Sequence, residues 1–181
     1  MALRTHTCGE LRPQHVGTDV LLSGWVNTFR DQGKGLVFID VRDRAGLTQV
    51  VFDQEDCDPE TMETARSLRR EDVVQLSGTV RDRAGGINKK LSTGEIEVRG
   101  TTAKIFSRAS NPPILPDDHE SSSVSEEVRL RHRYIDLRRP RMQQMLQMRH
   151  DLGTLTRSYF HNLSFLEVET PLLIKSTPEG A

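Results

Sequence analysis

"LVFIDVRDRAGLTQVVFDQEDCDPETMETA", Leu36–Ala65, changes its period part-way along. Val37, Ile39 and Val41 alternate with Phe38, Asp40 and Arg42, the period of two by which a strand turns one face to a core. After the Ala45-Gly46 turn, Leu47–Phe52 reads as a second strand. The period then lengthens. Asp58-Pro59-Glu60 offers an acceptor side chain at a helix cap, proline at the first helical position and acids in the first turn. Met62, Ala65 and Leu68 follow on one helical face.

Working outward, Val20–Phe29 alternates around Leu22, Gly24 and Val26, giving a strand before the quoted stretch. Val73–Val80 and Glu95–Phe106 give two more after it, separated by the Gly85-Gly86 turn and the polar Asn88–Gly94 segment. Three strands, a helix and two strands is the order of a five-stranded OB-type β-barrel, in which the helix plugs one end. Leu22-Ser23-Gly24-x-Val26 and Leu76-Ser77-Gly78-x-Val80 echo each other, and a mid-strand glycine permits the sharp bend a barrel strand needs. Ser107–Glu127, with its Asn-Pro-Pro, Pro-Asp-Asp and triple-serine runs, reads as a connection without a core of its own. Pro140 then opens a long helix in which Met142, Met145, Met148, Leu152, Leu155, Tyr159 and Leu163 recur at spacings of three and four. That stripe predicts a buried core face, with a face toward a second subunit as the other reading. Phe165–Glu169 alternates again and predicts a strand.

The chain has 181 residues, 28% of them charged, with a formal net charge of -1, which excludes a globally basic nucleic-acid binder and fits a soluble globular protein. Locally the balance differs, because Arg129, Arg131, His132, Arg133, Arg138, Arg139 and Arg141 crowd one stretch. Cys8 and Cys57 lack the spacing of a zinc site or disulfide framework, and no metal site is predicted. Met1–Glu10 lacks the apolar core of a signal peptide and no window is apolar enough to span a membrane, so the sequence predicts a cytoplasmic protein.

Trp25, Phe29, Arg30 and Phe38 lie on or beside the first two strands. Aromatic faces that stack on unpaired bases and cations that track phosphate are what single-stranded nucleic acid requires, and here they are sparse. Trp25 reads first as core, and Phe38 reads as core or as binding face alike. Gln49, Arg83 and Glu97 have the directional groups that read base edges, although each alone is an ordinary strand residue.

Taken in order, Gly24-Trp25-Val26, Thr93-Gly94-Glu95-Ile96-Glu97, "RHRYIDLRRP" at Arg131–Pro140, Phe165-Leu166-Glu167-Val168-Glu169-Thr170-Pro171 and Thr177-Pro178-Glu179-Gly180-Ala181 resemble the bacterial-type aspartate–tRNA ligase family of class II aminoacyl-tRNA synthetases, from Arg4 to Ala181. The resemblance implies an OB-fold anticodon-binding domain over 1–107, a hinge over 108–139 and the start of an α+β catalytic domain over 140–181. Helix and strand there would form motif 1, with Pro171 at a homodimer interface. It implies that Phe38 stacks on an anticodon base and that Arg30, Gln49, Arg83 and Glu97 contact anticodon nucleotides. Gln32, Gly85 and Gly86 fall where relatives differ in telling tRNA-Asp from tRNA-Asn, and which of the two is charged stays open. Thr28 stands where relatives often carry arginine, and Ser164 where they carry glycine.

Glu179 would bind the α-ammonium of L-aspartate through a charge-assisted hydrogen bond. Without the surrounding match it reads as an ordinary turn acid. The implied reaction is attack of the aspartate carboxylate on ATP to give aspartyl-adenylate, then acyl transfer to tRNA, with arginines and Mg²⁺ stabilising charge. Those arginines belong to motifs 2 and 3, which the sequence does not contain. The expectation is therefore an N-terminal part of a longer ligase, inactive alone, with its ATP and Mg²⁺ sites elsewhere. A free-standing OB-fold RNA-binding protein, or a lysine or asparagine ligase of the same subclass, are the alternatives.

Overall fold

The structure is a computed structural model, which describes residues 3–117, 124–173 and 175. The chain divides into two compact units, Met1–Pro112 and Pro113–Ala181.

In the first unit the strands are β1 (Asp19–Asp31), β2 (Leu36–Arg42), β3 (Leu47–Asp53), β4 (Val73–Asp82) and β5 (Ile96–Ser107), with α1 (Pro59–Ser67) between β3 and β4. They close as β1-β2-β3-β5-β4, with β4 returning to β1. All neighbours are antiparallel except β3 and β5, which run parallel and pair Val50 with Val98 and Val51 with Arg99. This is the predicted barrel, and the predicted strands differ from it by one or two residues at their ends. Leu22, Val26, Ile39, Val50, Phe52, Leu76 and Val98 fill the interior. Met62, Ala65 and Leu68 from α1 join the same core, as do Cys8 and Leu11 from the N-terminal segment. Asp58 caps α1, its carboxylate accepting from the Thr61 amide at 2.8 Å, and Pro59 takes the first helical position.

The two echoed glycines have a shared cause. A Cβ on Gly24 would lie 2.3 Å from the Arg42 carbonyl oxygen, and one on Gly78 would lie 2.1 Å from that of Arg99. At both positions another backbone closes in, and only glycine leaves the room.

In the second unit α2 (Glu126–Arg131), α3 (Arg133–Asp136) and α4 (Pro140–Asn162) follow one another. The stretch read as connection plus basic run thus holds two short helices, and Ile114 is buried within what was expected to be a coreless segment. The basic run is organised by one acid. Asp136 is fully buried and accepts from Arg129 Nε at 3.0 Å, Arg133 Nη1 at 2.5 Å and Arg139 Nη1 at 2.9 Å. Burial pushes its carboxyl pKa up, but hydrogen bonds from Arg129 and Arg139 and their charge outweigh this and hold it below the usual range.

Two expectations are corrected here. The apolar stripe of α4 is not a buried face: Met145, Met148, Leu152, Leu155, Tyr159 and Leu163 are all more than half exposed. No element among the described residues covers it. Phe165–Glu169 is not a strand either. Ser164 takes a left-handed conformation, φ +65°, and its amide donates to the His161 carbonyl at 2.9 Å while that of Phe165 donates to the Phe160 carbonyl at 3.0 Å. The Phe160 and Phe165 rings meet edge to face at 5.5 Å. This is a Schellman helix end, in which the amide of Phe165 is committed to the helix and not to a strand ladder.

Candidate nucleic-acid interface

The outer face of the barrel is set by register. Arg30 of β1 stands opposite Phe38 of β2, Thr28 opposite Asp40, and Asp40 in turn opposite Gln49 of β3. Across the sheet, Arg81 of β4 stands opposite Glu97 of β5. Directly opposed residues share a face, so strands distant in sequence bring these side chains to one surface. The Arg30 guanidinium carbon lies 5.9 Å from the Phe38 ring centroid, within cation–π reach.

Gln49 is the hub. Its Oε1 accepts from Arg30 Nη2 at 3.1 Å and from Arg83 Nη2 at 2.7 Å, while its Nε2 donates to Glu97 Oε2 at 2.9 Å. Arg81 Nε donates to the other Glu97 oxygen at 2.9 Å. Arg30 Nη2 is also 3.3 Å from both oxygens of Asp40, which in addition accepts from the Thr28 hydroxyl. Gln49 and Glu97 are buried, 3% and 2% exposed, so their carbonyl and carboxylate are oriented by these donors together with the Ala84 amide, which reaches Glu97 Oε1 at 3.5 Å. Arg83 Nη1 is buried with no acceptor among the described residues, so an acceptor from a ligand would relieve a desolvated donor.

Arg30, Phe38, Gln49, Arg81, Arg83 and Glu97 line a concavity of about 470 Å³ that also includes Gln32, Leu36 and Gly85. Phe38 is half-buried on this outer face, not in the core; Phe29 is the phenylalanine of this pair that packs against the core. Trp25 is half-buried, opposite Arg42 at the far end of the β1–β2 ladder. Gly86, at φ +82°, forms the turn beside the concavity without lining it. The five residues named for base contact, Arg30, Phe38, Gln49, Arg83 and Glu97, therefore meet in one place. Asp40 and Arg81 belong with them and were not singled out from the sequence. The available signal was parity: Asp40 follows Phe38 by two, and Arg81 precedes Arg83 by two.

An aromatic face, guanidinium groups and a fixed amide and carboxylate can stack on a base, pair with phosphate and read a base edge. Nucleophilic thiol chemistry is disfavoured, since burial pushes the Cys8 thiol far up and raises that of Cys57. Among the described residues no group of three or more histidines, cysteines and carboxylates is placed to hold a metal. No helix among them is long and apolar enough to cross a membrane. Pro171 is exposed, and Glu179 lies outside the described residues.

Residues 20–105 match the family model described as OB-fold nucleic acid binding domain, and residues 125–181 match tRNA synthetases class II (D, K and N). The chain is 50% identical over 181 residues to the aspartate–tRNA(Asp/Asn) ligase of Salinibacter ruber, an alignment covering 98% of this chain and 28% of that protein. It is 51% identical over 178 residues to the ligase of the same name from Anaeromyxobacter dehalogenans strain 2CP-C, covering 98% and 29%. Over nearly its whole length the chain is thus similar in sequence to class II aspartate–tRNA ligases. It spans less than a third of the length of these curated relatives. Among solved structures it is similar to asparaginyl-tRNA synthetase from Pyrococcus horikoshii complexed with asparaginyl-adenylate, with 27% identity and a TM-score of 0.80 over 93% of this chain and 37% of that one. It is also similar to OBody AM2EP06 bound to hen egg-white lysozyme, at 25% identity and a TM-score of 0.53, covering 60% of this chain and 98% of that one. The barrel is thus the part that matches the nucleic-acid-binding model, and α2 onward the part that matches the synthetase model.

Proposed function

We propose that this chain is the tRNA-reading part of an aspartate–tRNA ligase, together with the opening of its catalytic domain. Residues 1–107 bind the anticodon of tRNA-Asp, 108–139 form the hinge and 140–181 begin the catalytic domain. Phe38 stacks on an anticodon base, Arg30 and Arg83 pair with base or phosphate acceptors, and Gln49 and Glu97 read base edges. The region of Gln32, Gly85 and Gly86 bears on whether tRNA-Asn is also accepted. The observation that carries this reading is the fixed Gln49–Glu97 pair sharing one concavity with Phe38 and with a buried Arg83 Nη1 that lacks an acceptor among the described residues.

The activity proposed for the whole protein is ATP-dependent formation of aspartyl-adenylate and transfer of aspartate to tRNA in the cytoplasm. Glu179 would hold the aspartate ammonium, and the α4 stripe with Pro171 would face a second subunit in a homodimer. The described residues do not fit a Mg²⁺ site, since their acids are engaged by arginines or scattered, so they are assigned no step through ATP or the metal. The chain alone is predicted not to catalyse ATP–pyrophosphate exchange.

The test is titration with tRNA-Asp at two salt concentrations, beside the same tRNA with its central anticodon base changed. Weaker binding of the changed tRNA supports the reading. Equal binding that falls steeply with salt means that the arginines grip phosphate alone and overturns it.

A further inference from the structure

Arg30 reaches the outer face only because β1 changes parity. From Val20 to Val26 the even-numbered residues are buried, with Val20, Leu22 and Val26 in the core. The register against β2 then slips: Val26 pairs with Val41 and Thr28 with Asp40, leaving Asn27 as the extra residue of a bulge. Beyond it Phe29 faces the core opposite Ile39, and Thr28 and Arg30 face outward. Without that extra residue Arg30 would point into the apolar interior.

The bulge is held from behind. Asn27 Oδ1 accepts from Arg42 Nη1 at 2.6 Å, and Arg42 Nη2 donates to Glu71 Oε1 at 2.6 Å. Glu71 is 6% exposed and sits at φ +70°, a conformation that a non-glycine residue keeps only when its surroundings enforce it. Its amide donates to the Val26 carbonyl at 2.8 Å, and the Val26 amide donates to the Asp72 carbonyl at 2.9 Å. The turn before β4 thus grips the residue just before the bulge through its backbone, and the bulged residue itself through Arg42. None of these groups lines the concavity that contains Arg30 and Gln49.

We infer that Asn27, Arg42 and Glu71 are positioning residues for nucleic-acid recognition: they fix the β1 bulge and so determine that Arg30 faces the ligand. This rests on the anticodon reading above. It differs from a merely structural role because the clamp acts through one side chain, and its loss should appear as lost discrimination between bases.

The experiment uses the full 181-residue chain. Affinities for tRNA-Asp and for the tRNA with the changed central base are measured for wild type, Asn27→Ala, Arg42→Ala, Arg30→Ala and the Arg30→Ala/Asn27→Ala pair, with urea midpoints alongside. Asn27→Ala and Arg42→Ala are expected to lower the discrimination ratio by about tenfold, the scale of one charge-assisted hydrogen bond. Adding Asn27→Ala to Arg30→Ala is expected to change the ratio no further. Asn27→Asp, which keeps the acceptor for Arg42, is expected to retain it. If Arg42→Ala does not fold, Asn27→Ala decides the question. A folded Asn27→Ala with the wild-type ratio, beside an Arg30→Ala that has lost it, overturns the clamp and leaves the anticodon reading standing. A wild type that does not discriminate overturns both.

Discussion

Gln49 and Glu97, 48 residues apart in the chain, are joined by a 2.9 Å hydrogen bond on the outer face of the barrel, with both side chains out of water. The acceptor oxygen of Gln49 is held by two arginines, so the amide cannot flip without setting donor against donor. A side chain locked in this way discriminates, because a ligand group of the wrong polarity leaves a buried group unpaired.

Gln49→Ala is therefore expected to weaken binding to tRNA-Asp by at least about tenfold and to destabilise the barrel by about 1–3 kcal/mol, because the buried Glu97 Oε2 loses the Gln49 donor. Urea denaturation beside tRNA titration separates the two. Unchanged binding would remove Gln49 from the reading surface.

Phe38→Ala is expected to cost about 1–3 kcal/mol of binding, the value of one stacked base, with a smaller effect on folding because the ring lies outside the core. Phe38→Tyr should restore binding. A large fall in thermal stability with intact binding would mean that the ring serves packing.

The Asp136 cluster makes a pH prediction. Its folded pKa lies below the unfolded value near 3.8, so the stabilisation it gives is complete above that value and is lost as pH falls through the lower folded pKa. Amide exchange in α2 and α3 is expected to accelerate in that acid window, and Asp136→Asn should speed exchange already at neutral pH and flatten the acid response. An identical acid response in Asp136→Asn would assign it to other groups.

Ser164→Gly is expected to stabilise the end of α4 by about 0.5–1 kcal/mol, since glycine accepts the left-handed φ without a Cβ penalty. Slower exchange of the last-turn amides is the readout. Faster exchange would mean that the serine side chain contributes more than its backbone strain costs.

Cys8 is expected to resist thiol reagents until the barrel unfolds, because it is fully buried and its thiol pKa is pushed up by burial and by Asp43. Cys57, half-buried with a more modestly raised pKa, should react slowly in the native state. Rapid labelling of both in native buffer would contradict the packing of the N-terminal segment.

The barrel was legible in the sequence because its signals are local: the alternation at Val37, Ile39 and Val41, the Asp58-Pro59 helix start and the glycine turns each act within a few residues. The candidate site was legible in part. Phe38 and Gln49 could be named by type, but their meeting depends on register between strands, and the parity change at Asn27 leaves no mark in the alternation around it. Asp40 and Arg81 were missed for the same reason. Phe165–Glu169 misled because alternation measures amphipathicity and a strand also needs a ladder partner, while Ser164 hides a helix end normally announced by glycine. The α4 stripe was correctly seen as apolar. What covers it is not a property of its own spacing.

The parallel pairing of β3 with β5 through Val50 and Val51 is short beside the antiparallel ladders around it. It is the zip of the barrel, and Gln49 sits on one side of it with Glu97 on the other. A ligand that engages both residues fastens that zip as it binds. Occupancy and barrel closure are then linked, and the affinity measured for the ligand should reappear as resistance of β3 and β5 to opening.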